Sequence, residues 1–127
     1  SIKGPSNLLY SAVVLDDESK EKLINSFTFP LDWQPVAHHM TIGFKEPVPD
    51  HLRNDIGKTV QLTVKEVGIS RDAMAVKVLG YHSTNNIPHI TLAIPKGGKP
   101  FKSNFITNWK PLEKRLFITG EVKEIYS

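Results

Sequence analysis

The chain has 127 residues, 39% hydrophobic and 23% charged, with a formal net charge of +3. That profile suits one globular domain, here read as spanning 1–127, which buries enough apolar surface to need no staple. It contains no cysteine, which excludes a disulfide framework, a zinc-thiolate site, an iron–sulfur centre and a cysteine nucleophile.

The cysteine usage fits a reducing compartment, with the cytoplasm expected and the nucleus as the alternative. No apolar run approaches the ~20 residues of a membrane helix, so no membrane partner is expected. The opening residues carry no signal-peptide core and no initiator methionine, and the chain reads as a domain excised from a longer protein. Charge is uneven: residues 95–127 hold 7 Lys/Arg against 3 Asp/Glu, a balance that suits an anionic partner such as a nucleotide or RNA.

In chain order, residues 8–15 (LLYSAVVL) are short, apolar and partly β-branched, and read as a buried strand. Residues 16–27 carry acids in their first turn and Leu23, Ile24 and Phe27 at helical spacing, a short amphipathic helix closed by Pro30. A loop over 31–37 leads to a strand at 38–44, and Pro47 and Pro49 break the chain after it. The stretch 49–57 fits a short helix or a loop. Residues 60–69 and 73–79 alternate around Ser70-Arg71-Asp72 and predict a hairpin. A polar loop over 81–87 precedes a strand at 88–94. A Lys-Gly-Gly-Lys-Pro turn follows, then a helix over 101–109 with Phe101, Phe105 and Ile106 inward, then a last strand over 115–125. This order predicts an α+β fold with mainly antiparallel sheet.

One pattern stands out from that background. Residues 39–44 read His-Met-Thr-Ile-Gly-Phe, and residues 89–94 read His-Ile-Thr-Leu-Ala-Ile. Both are His, apolar, Thr, apolar, small, apolar, repeated 50 residues apart in a chain with five histidines. On a strand, His39, Thr41 and Gly43 share one face, as do His89, Thr91 and Ala93. Met40, Ile42 and Phe44, and Ile90, Leu92 and Ile94, then face a core. Two such strands on one cleft present two imidazoles and two hydroxyls. Metal-free phosphodiester cleavage needs that set: a base for the attacking oxygen, an acid for the leaving oxygen, and donors for the non-bridging oxygens. Histidine serves as either acid or base near neutrality.

With these motifs the chain resembles the two-histidine (2H) phosphoesterase superfamily, which includes 2′-5′ RNA ligase-like proteins and cyclic phosphodiesterases. The resemblance implies a two-lobed, pseudo-twofold α+β fold with flanking helices and a central cleft, each lobe giving one motif strand. It implies His39, Thr41, His89 and Thr91 as catalytic residues, with no metal and no cofactor. The implied activity is hydrolysis of a 2′,3′-cyclic phosphate or related 2′-linked phosphodiester on a nucleotide or RNA end, by a monomer. The alternative is a nucleotide- or RNA-binding module on the same fold without significant turnover, and a third reading makes the repeat a coincidence in an interaction domain.

Around the motifs, His38 alternates to the opposite face from His39, so the match to the second copy selects His39. Lys45 follows the first motif strand, and Lys96 and Lys99 flank two glycines after the second; all three are candidates to hold a phosphate. Tyr10 and Trp33 are candidates for base stacking. His82, in the loop before the second motif, is a candidate substrate contact, and Trp109 reads as a helix-end packing residue. A zinc site drawn from His38, His51 or His82 lacks the close ligand spacing of a metal motif. His39 is matched to the leaving oxygen and His89 to the attacking one, although the repeat is nearly symmetric. Both limbs of a pH–rate bell are expected near the ordinary histidine range.

Overall fold

A computed structural model describes residues 7–127. Strand β1 (Leu8–Leu15) runs into helix α1 (Asp17–Ser26). The Asp16 carboxylate caps that helix by accepting from the Ser19 N–H at 2.8 Å, and Leu23 enters the core. The two-residue strand β2 (Gln34–Pro35) and β3 (His39–Phe44) follow, then a 3-10 turn at Asp50–Asp55. The hairpin is β4 (Thr59–Ile69) and β5 (Met74–Leu79), with β6 (His89–Ile94) after it. A second 3-10 turn at Pro100–Phe105 leads into β7 (Trp109–Tyr126), 18 residues long.

The strands are antiparallel in the order β2-β6-β3-β1-β7-β4-β5, and β5 returns to pair with β6. Six strands thus close into a barrel, with β2 added outside the ring. Val13, Met40, Ile42, Leu62, Val64, Val76, Val78, Ile90, Leu92, Ile118 and Val122 fill a common core. A smaller apolar cluster, Ala73, Ala75, Ile94 and Ile106, has Val36 and Trp109 packed against it.

This corrects the two-lobed, pseudo-twofold α+β arrangement with a central cleft. The physical reason is β7. Its residues 109–121 pair with β4 and its residues 120–126 pair with β1, so one strand stitches both halves of the chain into a single wall. Residues 112–115 bulge opposite Lys65, and a bulge of this kind bends a long strand around a barrel. The expected helix over 101–109 is instead a 3-10 turn followed by the start of β7. Only Ile106 of its three inward residues is buried; Phe101 and Phe105 are 52% and 67% exposed. Phe44, expected in the core, is 70% exposed.

Candidate functional site

The two motif strands are hydrogen-bonded neighbours, antiparallel through the single pair Met40↔Ile90. Paired residues share a face, and both of these point into the core. His39 and His89, one residue before each, therefore point outward. They are diagonal neighbours across the pair, a relation that spans roughly 7–8 Å. Both line one cavity of about 60 Å³ together with His38, Thr91, Val36 and Pro100. The site lies on the outer wall of the barrel, with the turn at Pro100–Phe105 against it.

A bulge builds the first motif's geometry. Residues 34–37 run beside β6, with Gln34 opposite Ile94, Pro35 opposite Ala93 and the Ala37 N–H donating to the Thr91 carbonyl at 2.9 Å. Pairing resumes only at Met40 and Ile90. His38 and His39 are thus two extra residues on this side, and Ala37 takes φ 42° to release them. Simple alternation fails here: His38, expected on the opposite face, brings its Nδ1 to 2.8 Å from His39 Nδ1. Tyr10 stacks on the other side of His39, with ring centroids 4.6 Å apart and planes 18° apart. The His39 ring is therefore held between a hydrogen bond and an aromatic face.

His89 is set by a different contact. Its Nδ1 donates to the Ile87 carbonyl at 2.7 Å, which leaves Nε2 for the cavity. Thr91 is buried, and its hydroxyl is 2.8 Å from Ser103 Oγ and 3.2 Å from the Pro100 carbonyl. It anchors the 3-10 turn over the site. Thr41 is half-buried, and its carbonyl accepts from Ser83 Oγ at 2.8 Å.

All three imidazoles are pushed towards the neutral form. Burial, then the adjacent His38 and His89, lower His39 from 6.5 to about 4. Burial, then Lys20 and Lys123, lower His38. Burial lowers His89, while the hydrogen bond to Ile87 works in the opposite direction. Lys20 on α1 and Lys123 on β7 are the cations that bias this site, and neither stands near a motif in sequence.

The other sequence candidates are dispersed. Lys45 sits in the turn after β3 at φ 55°, with Nζ 5.5 Å from the Phe44 ring centroid. Lys96 and Lys99 are exposed, although Lys99 directly precedes the cavity-lining Pro100. Trp33 packs against the core cluster. His82 is exposed and meets His51 edge to face, with centroids 6.2 Å apart. A larger cavity of about 380 Å³ opens on the other side of His89, lined by Thr84, Asn85, Asn86, Ile87, Ser103, Asn104, Ile106 and Trp109. The sequence singled out His82 in the loop over 81–87, whereas the residues of that loop that line this cavity are Thr84, Asn85, Asn86 and Ile87. Among the described residues no group of three His, Cys, Asp or Glu is placed to hold a metal ion, and no helix is long and apolar enough to cross a membrane.

No protein-family model matches the chain, and no curated protein matches it.

Proposed function

We propose that the chain is a phosphodiesterase that uses His39 and His89 as an acid–base pair on a 2′,3′-cyclic phosphate, or a related 2′-linked phosphodiester, of a nucleotide or RNA end. The observation that carries this is the meeting of the two repeated histidines in one cavity, on the same outward face of two paired strands. The resemblance to two-histidine phosphoesterases supports it through the two motifs. The absence of cysteine suits work in the cytoplasm or nucleus, and the reading takes the chain as a monomer.

Roles follow from the hydrogen bonds. With the Nδ1 proton of the His38–His39 bond on His39, its Nε2 carries a lone pair, as a base requires. His39 is also the imidazole most strongly held neutral. His89 donates from Nδ1 to a carbonyl, a contact that favours its protonated form and suits the acid. Water then attacks phosphorus as its proton passes to His39. The bond from phosphorus to one ribose oxygen breaks, and that oxygen takes the proton from His89. The assignment reverses the sequence-based guess, which had nothing to break the near-symmetry of the repeat.

The test is product analysis after incubation with the four nucleoside 2′,3′-cyclic phosphates and short RNAs ending in a cyclic phosphate, with and without EDTA. Ring opening that EDTA leaves unchanged is the expected result; strict dependence on a divalent ion overturns the mechanism. The second reading is the non-catalytic binding module: the Thr91 hydroxyl is engaged by Ser103 and Pro100, which leaves one fewer donor for the charge held on the non-bridging oxygens during turnover. Tight binding of the cyclic phosphates without products would decide for that reading.

His38 acts here as a positioning residue, accepting from His39 Nδ1. His38→Ala is expected to lower kcat on the order of 10-fold, the worth of one ordinary hydrogen bond, and to leave KM nearly unchanged. An unaltered kcat removes His38 from the mechanism.

The pH dependence has a definite sign. The base is lost as pH falls through the His39 value, about 4. The acid is lost as pH rises through the His89 value, which lies below 6.5. Because kcat/KM reports the free enzyme, its bell is expected to peak on the acidic side of neutrality, and the profile of kcat to lie higher because a bound anion favours both imidazolium forms. A kcat/KM optimum above pH 7 contradicts these roles.

A further inference from the structure

The cavity beyond His89 differs in chemistry from the histidine cavity. It holds about 380 Å³, within the range of small-molecule sites. Three primary amides line it, Asn85, Asn86 and Asn104, with the Thr84 hydroxyl and the Trp109 indole, and His89 forms the wall shared with the smaller cavity. No Lys, Arg, Asp or Glu is among its lining residues. The part of a ligand that fits here is therefore uncharged. It is also amphipathic, with an apolar body and an edge that both gives and takes hydrogen bonds, since each amide offers a donor pair and an acceptor.

Two details sharpen this. The Asn104 amide nitrogen donates to the Phe101 carbonyl at 3.0 Å, which orients its Oδ1 as an acceptor. The Trp109 indole is seated by its own Nε1–H, which donates to the Ile106 carbonyl at 3.1 Å, and by Gly68. A Cβ at Gly68 would stand 2.7 Å from the indole Cε3, so the missing side chain lets the ring lie directly on β4. The ring is fixed before any ligand arrives, which lowers the entropic cost of stacking.

We infer that this cavity is a nucleoside subsite, taking the base and ribose while the phosphate they carry lies between His89 and His39. The inference rests on the phosphodiesterase reading for the position of the phosphate; the neutral, amide-lined cavity with its seated indole stands apart from it. The amides read the edge of the base, the indole supplies an aromatic surface, and the shared His89 makes the ribose oxygens the junction between the two cavities.

The test has one readout without turnover and one with it. In a Trp33→Phe background Trp109 is the sole tryptophan, and its fluorescence is titrated with adenosine and, separately, with inorganic phosphate. Adenosine is expected to quench it and phosphate to leave it nearly unchanged. Asn86→Ala combined with Asn104→Ala, both at exposed positions, is expected to weaken the adenosine response at least tenfold. The second readout compares kcat/KM for adenosine 2′,3′-cyclic phosphate with that for base-free ribose 2′,3′-cyclic phosphate. The same double variant should cut the advantage conferred by the base at least tenfold. No quenching by adenosine overturns the subsite, as does a base advantage that the double variant leaves intact. If neither cyclic phosphate is turned over yet adenosine binding is lost in the variant, the subsite stands and the phosphodiesterase reading falls.

Discussion

His39→Ala and His89→Ala are each expected to lower turnover of the correct cyclic phosphate by about 10²–10⁴-fold, the usual contribution of a general acid or base. Neither ring belongs to the core cluster, so both variants should keep the circular dichroism and cooperative melting of the parent. The two losses should not add. Once one member of a proton-transfer pair is gone, the other has little left to contribute, and the double variant is expected to fall close to the worse single one. Thr91→Ala should cost less, on the order of 10-fold, by loosening the turn at Pro100–Phe105 that its hydroxyl anchors, and Thr41→Ala less still, because Thr41 is not among the residues that line the cavity. Near-wild-type rates in either histidine variant, on a substrate the parent cleaves, would remove the pair from the chemistry.

Leu92→Ala is expected to destabilise the fold by about 2–5 kcal/mol, because Leu92 is fully buried on β6, the strand that closes the ring between β3 and β5. A domain of this size has roughly 5–15 kcal/mol in total, so the loss is a large share of its stability. Phe44→Ala is the matched control. The repeat places Phe44 and Ile94 at the same inward position, yet Phe44 is 70% exposed against 8% for Ile94. Its removal should stay within about 0.5 kcal/mol. Denaturant midpoints of the two variants check both statements. Equal destabilisation would show that the outer end of β3 packs inward after all.

The different fates of Phe44 and Ile94 show where local pattern stops being informative. Alternation along β3 holds from Met40 to Ile42, which are buried in the core. It then fails because the register against β1 shifts between Ser11 and Ala12. Nothing in the six motif residues encodes that shift, which belongs to the partner strand as much as to β3. Trp109 makes the same point. A helix through it is a reasonable local reading, but its indole finds a seat on Gly68 of β4, about forty residues earlier in the chain, and that contact draws the segment into β7.

Local periodicity by itself determined the strands at Leu8–Leu15 and His89–Ile94, the capped helix at Asp17–Ser26, the hairpin around Ser70, and the outward direction shared by His39 and His89. Each depends on side chains a few residues apart, and period two or 3.6 is visible in a single chain. Tertiary structure alone decided that the strands close into one barrel rather than two lobes, because closure depends on the length of β7 and on the β5–β6 pairing. It alone turned His38 towards His39, through a positive φ at an alanine that no propensity marks. It also brought Lys20 and Lys123 to bear on the site and set Asn85, Asn86 and Asn104 around one cavity. These residues come from segments far apart in the chain, and only the folded wall between them sets their distance.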